Sequence, residues 1–249
     1  MADRVSSTTP AGSAALKSYI ICSTPRSGST LLEQLLTSTG SMGAPDEYFN
    51  RADQYPMLCR KYGVSSTPEL LSVLLREKVT GNGVFGVKIH YEQFELLRRE
   101  VDLEAFLPRP SYIYLKRRDL LGQAISYSRA VATGQWSLDQ AAKRAPCFDP
   151  CDVEARLDAI IAQSAAWWKY FATAGIEPLE IAYEELVEEP RKTCTKILAL
   201  CGVESGPPEG LEAARTKRQA DHLSLDWRER MLAYWGTGGR RKETGSVAT

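Results

Sequence analysis

The stretch that most constrains this chain is Lys17-Ser-Tyr-Ile-Ile-Cys-Ser23, with the turn and the helical run directly after it. A short run of β-prone apolar residues ends in the turn Pro25-Arg-Ser-Gly28. It then passes at once into Thr30-Leu-Leu-Glu-Gln-Leu-Leu-Thr-Ser38, where apolar residues recur at helical spacing. A strand that turns through a glycine into a helix is the first half of a βα unit. Three more strands are expected, at 84–90, 111–116 and 178–183. Helices are expected at about 119–132 and 153–172, and as a last pair at 190–201 and 225–234. Strands alternating with helices of ten or more residues predict an α/β fold, with a central, mostly parallel sheet flanked by helices on both faces. Ligands in such folds bind beyond the carboxyl ends of the strands. The chemistry is therefore expected just after Ser23, His90, Lys116 and Tyr183.

Charge narrows the partners. The 249 residues carry 31 Lys+Arg against 31 Asp+Glu, a formal net charge of zero. That balance argues against a nucleic-acid coat or a membrane-surface protein, which carry a basic excess. It leaves room for a local basic pocket. No window approaches 18 consecutive apolar residues, and the first residues have no apolar stretch of signal-peptide type, so no integral membrane contact and a cytoplasmic location are expected. There is no internal repeat. The six cysteines are expected to be free thiols, and with only His90 and His222 beside them no metal site is expected.

The turn Ser23-Thr-Pro-Arg-Ser-Gly-Ser-Thr30 carries the strongest chemical signal. Backbone N–H groups at a helix start and the helix dipole favour an anion. Gly28 allows close backbone approach, Arg26 adds a fixed bidentate cation, and Ser27, Ser29 and Thr30 add hydroxyl donors. Helix capping alone takes one hydroxyl, and this turn carries several around an arginine. The turn differs from the nucleoside-triphosphate loop Gly-x-x-x-x-Gly-Lys-Ser/Thr, because Gly28 is followed by Ser29 and the basic residue lies two positions before the glycine. A small-molecule kinase is thereby the weaker alternative.

Pro25-Arg-Ser-Gly-Ser-Thr-Leu-Leu32 resembles the 5′-phosphosulfate loop of the sulfotransferase superfamily. With Gly43-Ala-Pro-Asp-Glu-Tyr-Phe49, Phe85-Gly-Val-Lys88, Arg117-Arg-Asp-Leu-Leu-Gly-Gln-Ala-Ile-Ser126, Arg218-Gln-Ala-Asp221 and Asp226-Trp227, the ordered set resembles the Stf0 family of bacterial carbohydrate sulfotransferases. That resemblance implies a P-loop-like fold and one sulfotransferase domain over 17–236, between a leader at 1–16 and a tail at 237–249 read as disordered. It implies 3′-phosphoadenylyl sulfate (PAPS) as donor, adenosine 3′,5′-bisphosphate as product, and no metal. It also implies a hydroxyl acceptor, a sugar such as trehalose or a glycolipid, and by analogy a homodimer. A non-catalytic nucleotide-binding relative is the other alternative.

The resemblance also distributes roles. Arg26, Ser27, Gly28, Ser29 and Thr30 are expected to grip the 5′-phosphate and sulfate, with Arg26 offsetting charge on the bridging oxygen. For the 3′-phosphate the family uses an arginine and a downstream serine. Here these are Arg117 or Arg118 with Ser126, and Lys217 and Arg218 belong to a later segment that folds over the same phosphate. Lys116, Arg117 and Arg118 at a helix start oppose the helix dipole, which itself suggests a bound anion. Glu47 matches the family's glutamate in Pro-x-Glu-x-Phe and is the leading base. Its apolar neighbours Pro45, Tyr48 and Phe49 are expected to desolvate it and raise its pKa. His90, expected to titrate near neutrality, is the competing base. Lys88, Tyr48, Tyr91 and Trp136 are the expected acceptor-side residues, while 48–80 and 134–152 carry no readable code.

Overall fold

The computed structural model describes residues 16–137, 140–204, 206 and 222–237. Residues 1–15 and 238–249 of the expected leader and tail, and Lys217, Arg218 and Asp221, lie outside the described residues.

Four strands, β1 (Lys17–Ser23), β2 (Val84–His90), β3 (Ser111–Lys116) and β4 (Leu179–Ala182), form one sheet in the order β2-β1-β3-β4, parallel throughout. Connections leave β1 toward β2 and return across it to β3, so the strand order reverses at β1. Such a reversal opens a crevice beyond the carboxyl ends of the strands. The last strand is shorter than the sequence suggests: Tyr183 does not end it but opens the helix α8 (Tyr183–Glu188).

Strand alternation divides the core. Ile20 and Cys22 of β1, Phe85, Val87 and Ile89 of β2 and Tyr114 of β3 face one apolar cluster. Tyr19, Ile21, Ile113, Leu115 and Ile181 face the other, against Leu31, Leu32, Leu35 and Leu36 of α1 (Ser29–Ser38). The period of two in the strands and the i, i+1, i+4, i+5 pattern in α1 thus bury both sheet faces. Lys88 shares the parity of Gly86 on β2, which directs it to the α1 side. Gly86 is required there: it pairs in register with Tyr19, and a Cβ would collide with the Tyr19 ring.

Two helices fill the stretch after Glu47 that carried no readable code. These are α2 (Gln54–Tyr62) and α3 (Thr67–Glu77), the latter started by a Ser66/Glu69 capping box with Pro68 in its first turn. They are followed by α4 (Tyr91–Glu100) and α5 (Leu103–Phe106) after β2. The helices α6 (Leu120–Thr133), α7 (Pro150–Ala174), α9 (Pro190–Leu200) and α10 (His222–Gly236) match the expected ones to within three residues at each end.

The described residues divide into two compact units. One holds the sheet and runs through 16–118 and 163–206. The other, 119–162 and 222–237, contains α6, α10 and the first half of α7. Its core is Ala124, Ile125, Val153, Ile160, Trp227 and Met231, with Phe148 edge-on to Trp227. Asp119 caps α6 through the Gly122 N–H and receives both its carboxylate contacts from Arg228 of α10.

Candidate active site

The turn after β1 has the geometry of an anion cradle. Gly28 is the N-cap of α1 at φ +92°, a residue with no side chain to cap the helix, and no acidic residue sits in the first turn. A Cβ at Gly28 would collide with the Tyr183 ring, so only glycine combines this left-handed backbone with this packing. Arg26 also stands in the left-handed region at φ +64°, an uncommon conformation for a residue with a side chain. Ser27 is fully buried, yet among the described residues its hydroxyl has no hydrogen-bond partner. Burying a hydroxyl unpaired is costly, and an anion in the turn is the group that would satisfy it.

At the end of β3 the three basic residues separate. Lys116 pairs with Glu180 and Arg118 with Glu185, while the Glu184 carboxylate accepts from the Arg118 N–H. Two of the three charges expected to oppose the α6 dipole are thus balanced by carboxylates of β4 and α8. Arg117 differs. Its guanidinium lies 5.0 Å from the Tyr183 ring centre, and its Nε is buried with no partner among the described residues. Tyr183, which sequence reasoning treats only as a strand end, thereby touches both the turn at Gly28 and Arg117. Ser126 sits half-buried in α6, in the other unit.

The end of β2 holds a dense polar cluster. Glu47 is directed there because Asp46 accepts its N–H at 2.7 Å and the Asp46 carbonyl accepts from Lys88 N at 3.1 Å, lacing the loop to the strand. Its Oε1 accepts from Gln93 Nε2 at 2.6 Å and from Asn50 Nδ2 at 3.0 Å. Its Oε2 faces Lys88 Nζ at 3.5 Å and His90 Nε2 at 3.6 Å. His90 Nδ1 lies 3.0 Å from Ser23 Oγ, and the Ser23 carbonyl accepts from Trp167 Nε1 at 3.0 Å. Gln93 couples the two base candidates, since its Oε1 accepts from His90 N at 3.2 Å. On the other side Lys88 Nζ lies 2.7 Å from Glu33 Oε2 of α1.

The electrostatics overturn one expectation. Burial does push the Glu47 carboxyl up, but His90, Lys88 and the Gln93 amide outweigh it, and its pKa lies below the ordinary 4.5. Burial pulls His90 below its ordinary 6.5 more than Glu47 lifts it, and Lys88 adds to the fall, so at neutral pH the imidazole is neutral and does not titrate. Lys88 is pulled down by burial yet held above its ordinary value by Glu33 and Glu47, so it stays a cation. Glu33 is pushed up by burial despite Lys88. At neutral pH both base candidates are therefore in their proton-accepting forms.

Of the expected acceptor-side residues, the structure brings Lys88 beside Glu47 and turns Tyr48 away. Tyr48 is 2% exposed, stacks on Phe85 and donates to the Ala44 carbonyl, so its ring is core and not a sugar platform. Tyr91 stands edge-on to Trp167 at 5.2 Å and donates to Glu95 Oε1. Trp136, 47% exposed, lies 6.1 Å from Tyr127 in the other unit. Sequence reasoning misses Asn50, Gln93 and Glu33. Only Gln93 has a signal available, three residues after a strand-ending His90, where a capping glutamine belongs.

The family model for Stf0 sulphotransferase matches residues 18–233. The chain belongs to that family. Trehalose 2-sulfotransferase of Mycobacterium tuberculosis (strain Erdman) is 28% identical over 89% of this chain and 96% of its own length. The trehalose 2-sulfotransferase of Mycolicibacterium smegmatis is 26% identical over 85% and 93%. The same fold occurs in a sulfotransferase from Alicyclobacillus acidocaldarius, with TM-score 0.52, 12% identity and coverage of 89% of this chain and 92% of that one. It also occurs in the sulfotransferase domain of the Synechococcus PCC 7002 olefin synthase, with TM-score 0.51, 16% identity and coverage of 92% and 98%. The Stf0 chain described here is thus a sulfotransferase by family. Among its described residues no helix is long and apolar enough to cross a membrane, and no three His, Cys, Asp or Glu are grouped to hold a metal.

Proposed function

We propose that this Stf0 protein moves the sulfuryl group of PAPS to a hydroxyl of a carbohydrate or glycolipid, releasing adenosine 3′,5′-bisphosphate. The observation that carries the reading is the buried Ser27 hydroxyl, without a partner among the described residues, in a glycine-capped turn one strand away from Glu47. PAPS supplies a sulfuryl group on a phosphate leaving group, and the residues present fit such an anion. The turn 26–30 would hold the 5′-phosphosulfate. Arg117 is favoured over Arg118 for the 3′-phosphate, because Arg118 is balanced by Glu185 and the Arg117 Nε has no partner among the described residues. Ser126 and the segment with Lys217 and Arg218 are assigned to the same phosphate by resemblance.

Glu47 is the proposed base. Its Oε1 is occupied by two amide donors, so Oε2 takes the acceptor proton as the acceptor oxygen bonds to sulfur and the sulfur–oxygen bond to the phosphate breaks. A carboxylate held below its ordinary pKa is a modest base, so positioning and charge must carry most of the rate, as in phosphoryl transfer. Arg26 keeps its proton and acts by charge on the bridging oxygen. Neutral His90, held by Ser23, orients the free edge of Glu47. The 28% identity to a trehalose 2-sulfotransferase supports a sugar acceptor.

The test is incubation with PAPS and a panel of trehalose, other sugars, glycolipids and phenols, with and without EDTA, read by mass spectrometry. A mass increase of one sulfuryl group on a sugar, unaffected by EDTA, is expected. Transfer only to phenols would overturn the acceptor class. A metal-dependent reaction with ATP would overturn the donor.

A further inference from the structure

Glu33 takes no part in the proposed transfer, and its side chain is not in the anion turn. It nevertheless lies at the closest carboxylate distance to the buried ammonium of the site. Lys88 Nζ is 2.7 Å from Glu33 Oε2 and 3.5 Å from Glu47 Oε2, with its side chain 6% exposed. Two carboxylates therefore share one lysine, and the sharing is unequal. We infer that Glu33 is a positioning residue that draws Lys88 away from Glu47 and so sets the proton affinity of the base.

The inference rests on the proposed role of Glu47 for its catalytic meaning, but the charge partition itself does not. An ammonium at full contact with Glu47 would stabilise the carboxylate further and make it a still weaker base. Glu33 prevents this in two ways that act in the same direction: it holds Lys88 at contact distance, and its own negative charge repels that of Glu47. The parity of β2 directs Lys88 to the α1 face, and Glu33 stands directly after the buried Leu31 and Leu32, where α1 turns toward β2. The other charged or titratable groups around Glu47 are Asp46 in its own loop and His90 at the end of β2, with Glu92 of α4 acting on His90 and Tyr48 beyond Asp46. Among the described residues none of these contacts Lys88 Nζ as an ion pair, so the partition belongs to Glu33 and Glu47. Lys88 lowers both carboxyls, but burial outweighs it at Glu33, which is raised, while His90, Lys88 and Gln93 together outweigh burial at Glu47, which is lowered.

The experiment reads the Glu47 carboxyl directly, by carbon-detected NMR titration of the full-length protein, with the resonance assigned from Glu47→Gln. In Glu33→Gln the midpoint of Glu47 is expected to move to lower pH by on the order of one unit. In Lys88→Met it is expected to move up. In the Glu33→Gln/Lys88→Met double variant the effect of Glu33→Gln should shrink to the part owed to direct repulsion of Glu47, because the lysine through which the rest acts is gone. Glu33→Asp should restore most of the wild-type value. Binding of adenosine 3′,5′-bisphosphate with unchanged affinity identifies folded variants. An unmoved Glu47 midpoint in a folded Glu33→Gln protein, or equal shifts in the presence and absence of Lys88, would overturn the inference. In turnover assays the acid limb of kcat/KM should follow the same shift, with a rate loss of about threefold to tenfold from the weaker base. A moved midpoint with an unmoved acid limb supports the partition and instead overturns Glu47 as the base.

Discussion

The turn after β1 and the cluster after β2 sit at neighbouring strand ends in the same unit, yet they are built on opposite principles. The turn leaves a polar group unsatisfied, a fully buried serine hydroxyl with no partner among the described residues, beside an N-cap glycine that has no side chain to offer. Its backbone is also held in sparsely populated conformations at Arg26 and Gly28. In the cluster each Glu47 oxygen has two neighbours of its own, and Lys88, His90 and Gln93 each have a named partner. Buried polar groups are ordinarily paired. A turn that departs from this rule is one that a ligand completes, whereas a cluster whose base is held by amide donors and cations is pre-organised before anything binds, even though Glu33 Oε2 meets Lys88 as an ion pair without a hydrogen bond of its own. One region is therefore predicted to matter for affinity at the expense of stability, and the other to hold both rate and stability.

The sharpest way to break that contrast is to compare rates. Glu47→Gln keeps the shape of the cluster but removes the proton acceptor, and kcat should fall by about 10²–10⁴-fold while bisphosphate affinity stays unchanged. Arg26→Ala should cost about 10²–10³-fold in kcat, with the donor still held through Arg117. Isothermal titration and initial rates on both variants check this. If His90→Asn is inactive while Glu47→Gln retains turnover, the imidazole is the base and Glu47 its partner.

The contrast is only half legible in the sequence. The anion turn can be read because its chemistry is contiguous: strand, arginine, serine, glycine and helix follow within eight residues, and strand and helix periods survive without tertiary help. The cluster is assembled from Ser23, Glu33, Glu47, Asn50, Lys88, His90 and Gln93, which belong to two strands, two helices and a loop. No local spacing announces that Glu33 of α1 reaches Lys88 of β2, since it follows from strand parity and from which face α1 covers. Tyr48 misleads for a related reason. A tyrosine beside Glu47 reads as an acceptor-side residue, but loop geometry turns the ring into the core, where Phe85 and the Ala44 carbonyl satisfy both its face and its hydroxyl. The direction of the Glu47 shift escapes the sequence because neighbours along the chain announce desolvation, and the groups that outweigh it, His90 and Lys88 of β2 and Gln93 of α4, come from elsewhere in the fold.

The two arginines after β3 extend the comparison to affinity. Arg117→Ala removes a guanidinium whose buried Nε has no partner among the described residues, and should weaken bisphosphate binding by about 10- to 100-fold, as expected for a lost charged hydrogen bond. Arg118→Ala removes an exposed pair with Glu185 and should change affinity by less than about twofold. Equal losses in the two variants would remove the preference for Arg117.

Stability against pH probes the cluster through His90 and Glu47, on top of an acid contribution from Glu69 and Glu100, whose carboxyls are also held below the ordinary range by hydrogen bonds. His90 and Glu47 both have folded pKa values below their ordinary ones, so the unfolded chain takes up these protons more readily than the folded one. Their contribution is complete above pH 6.5 for His90 and above 4.5 for Glu47, and is lost as the pH falls below each. Glu33, with a raised value, opposes this in acid. The unfolding temperature should therefore begin to drop below pH 6.5, and His90→Asn should flatten the first part of that drop. A drop of the same size in His90→Asn would place its origin elsewhere.

The smallest effect is the most discriminating, because it has opposite signs for stability and binding. Ser27→Ala deletes a hydroxyl that is buried without a partner among the described residues. An unsatisfied buried hydroxyl costs about 1–3 kcal/mol, so its removal should leave the free protein as stable as before or raise its stability by about 1 kcal/mol. The same change removes a donor from the turn and should weaken bisphosphate binding by about fivefold to tenfold. Thermal unfolding with and without the nucleotide reads both at once: the free variant should melt at or above the wild type, and its ligand-induced rise should be smaller. A variant that melts lower in the free state would mean that Ser27 is already satisfied inside the fold. The turn would then be as self-sufficient as the cluster beside it, and the division of labour between them would fail.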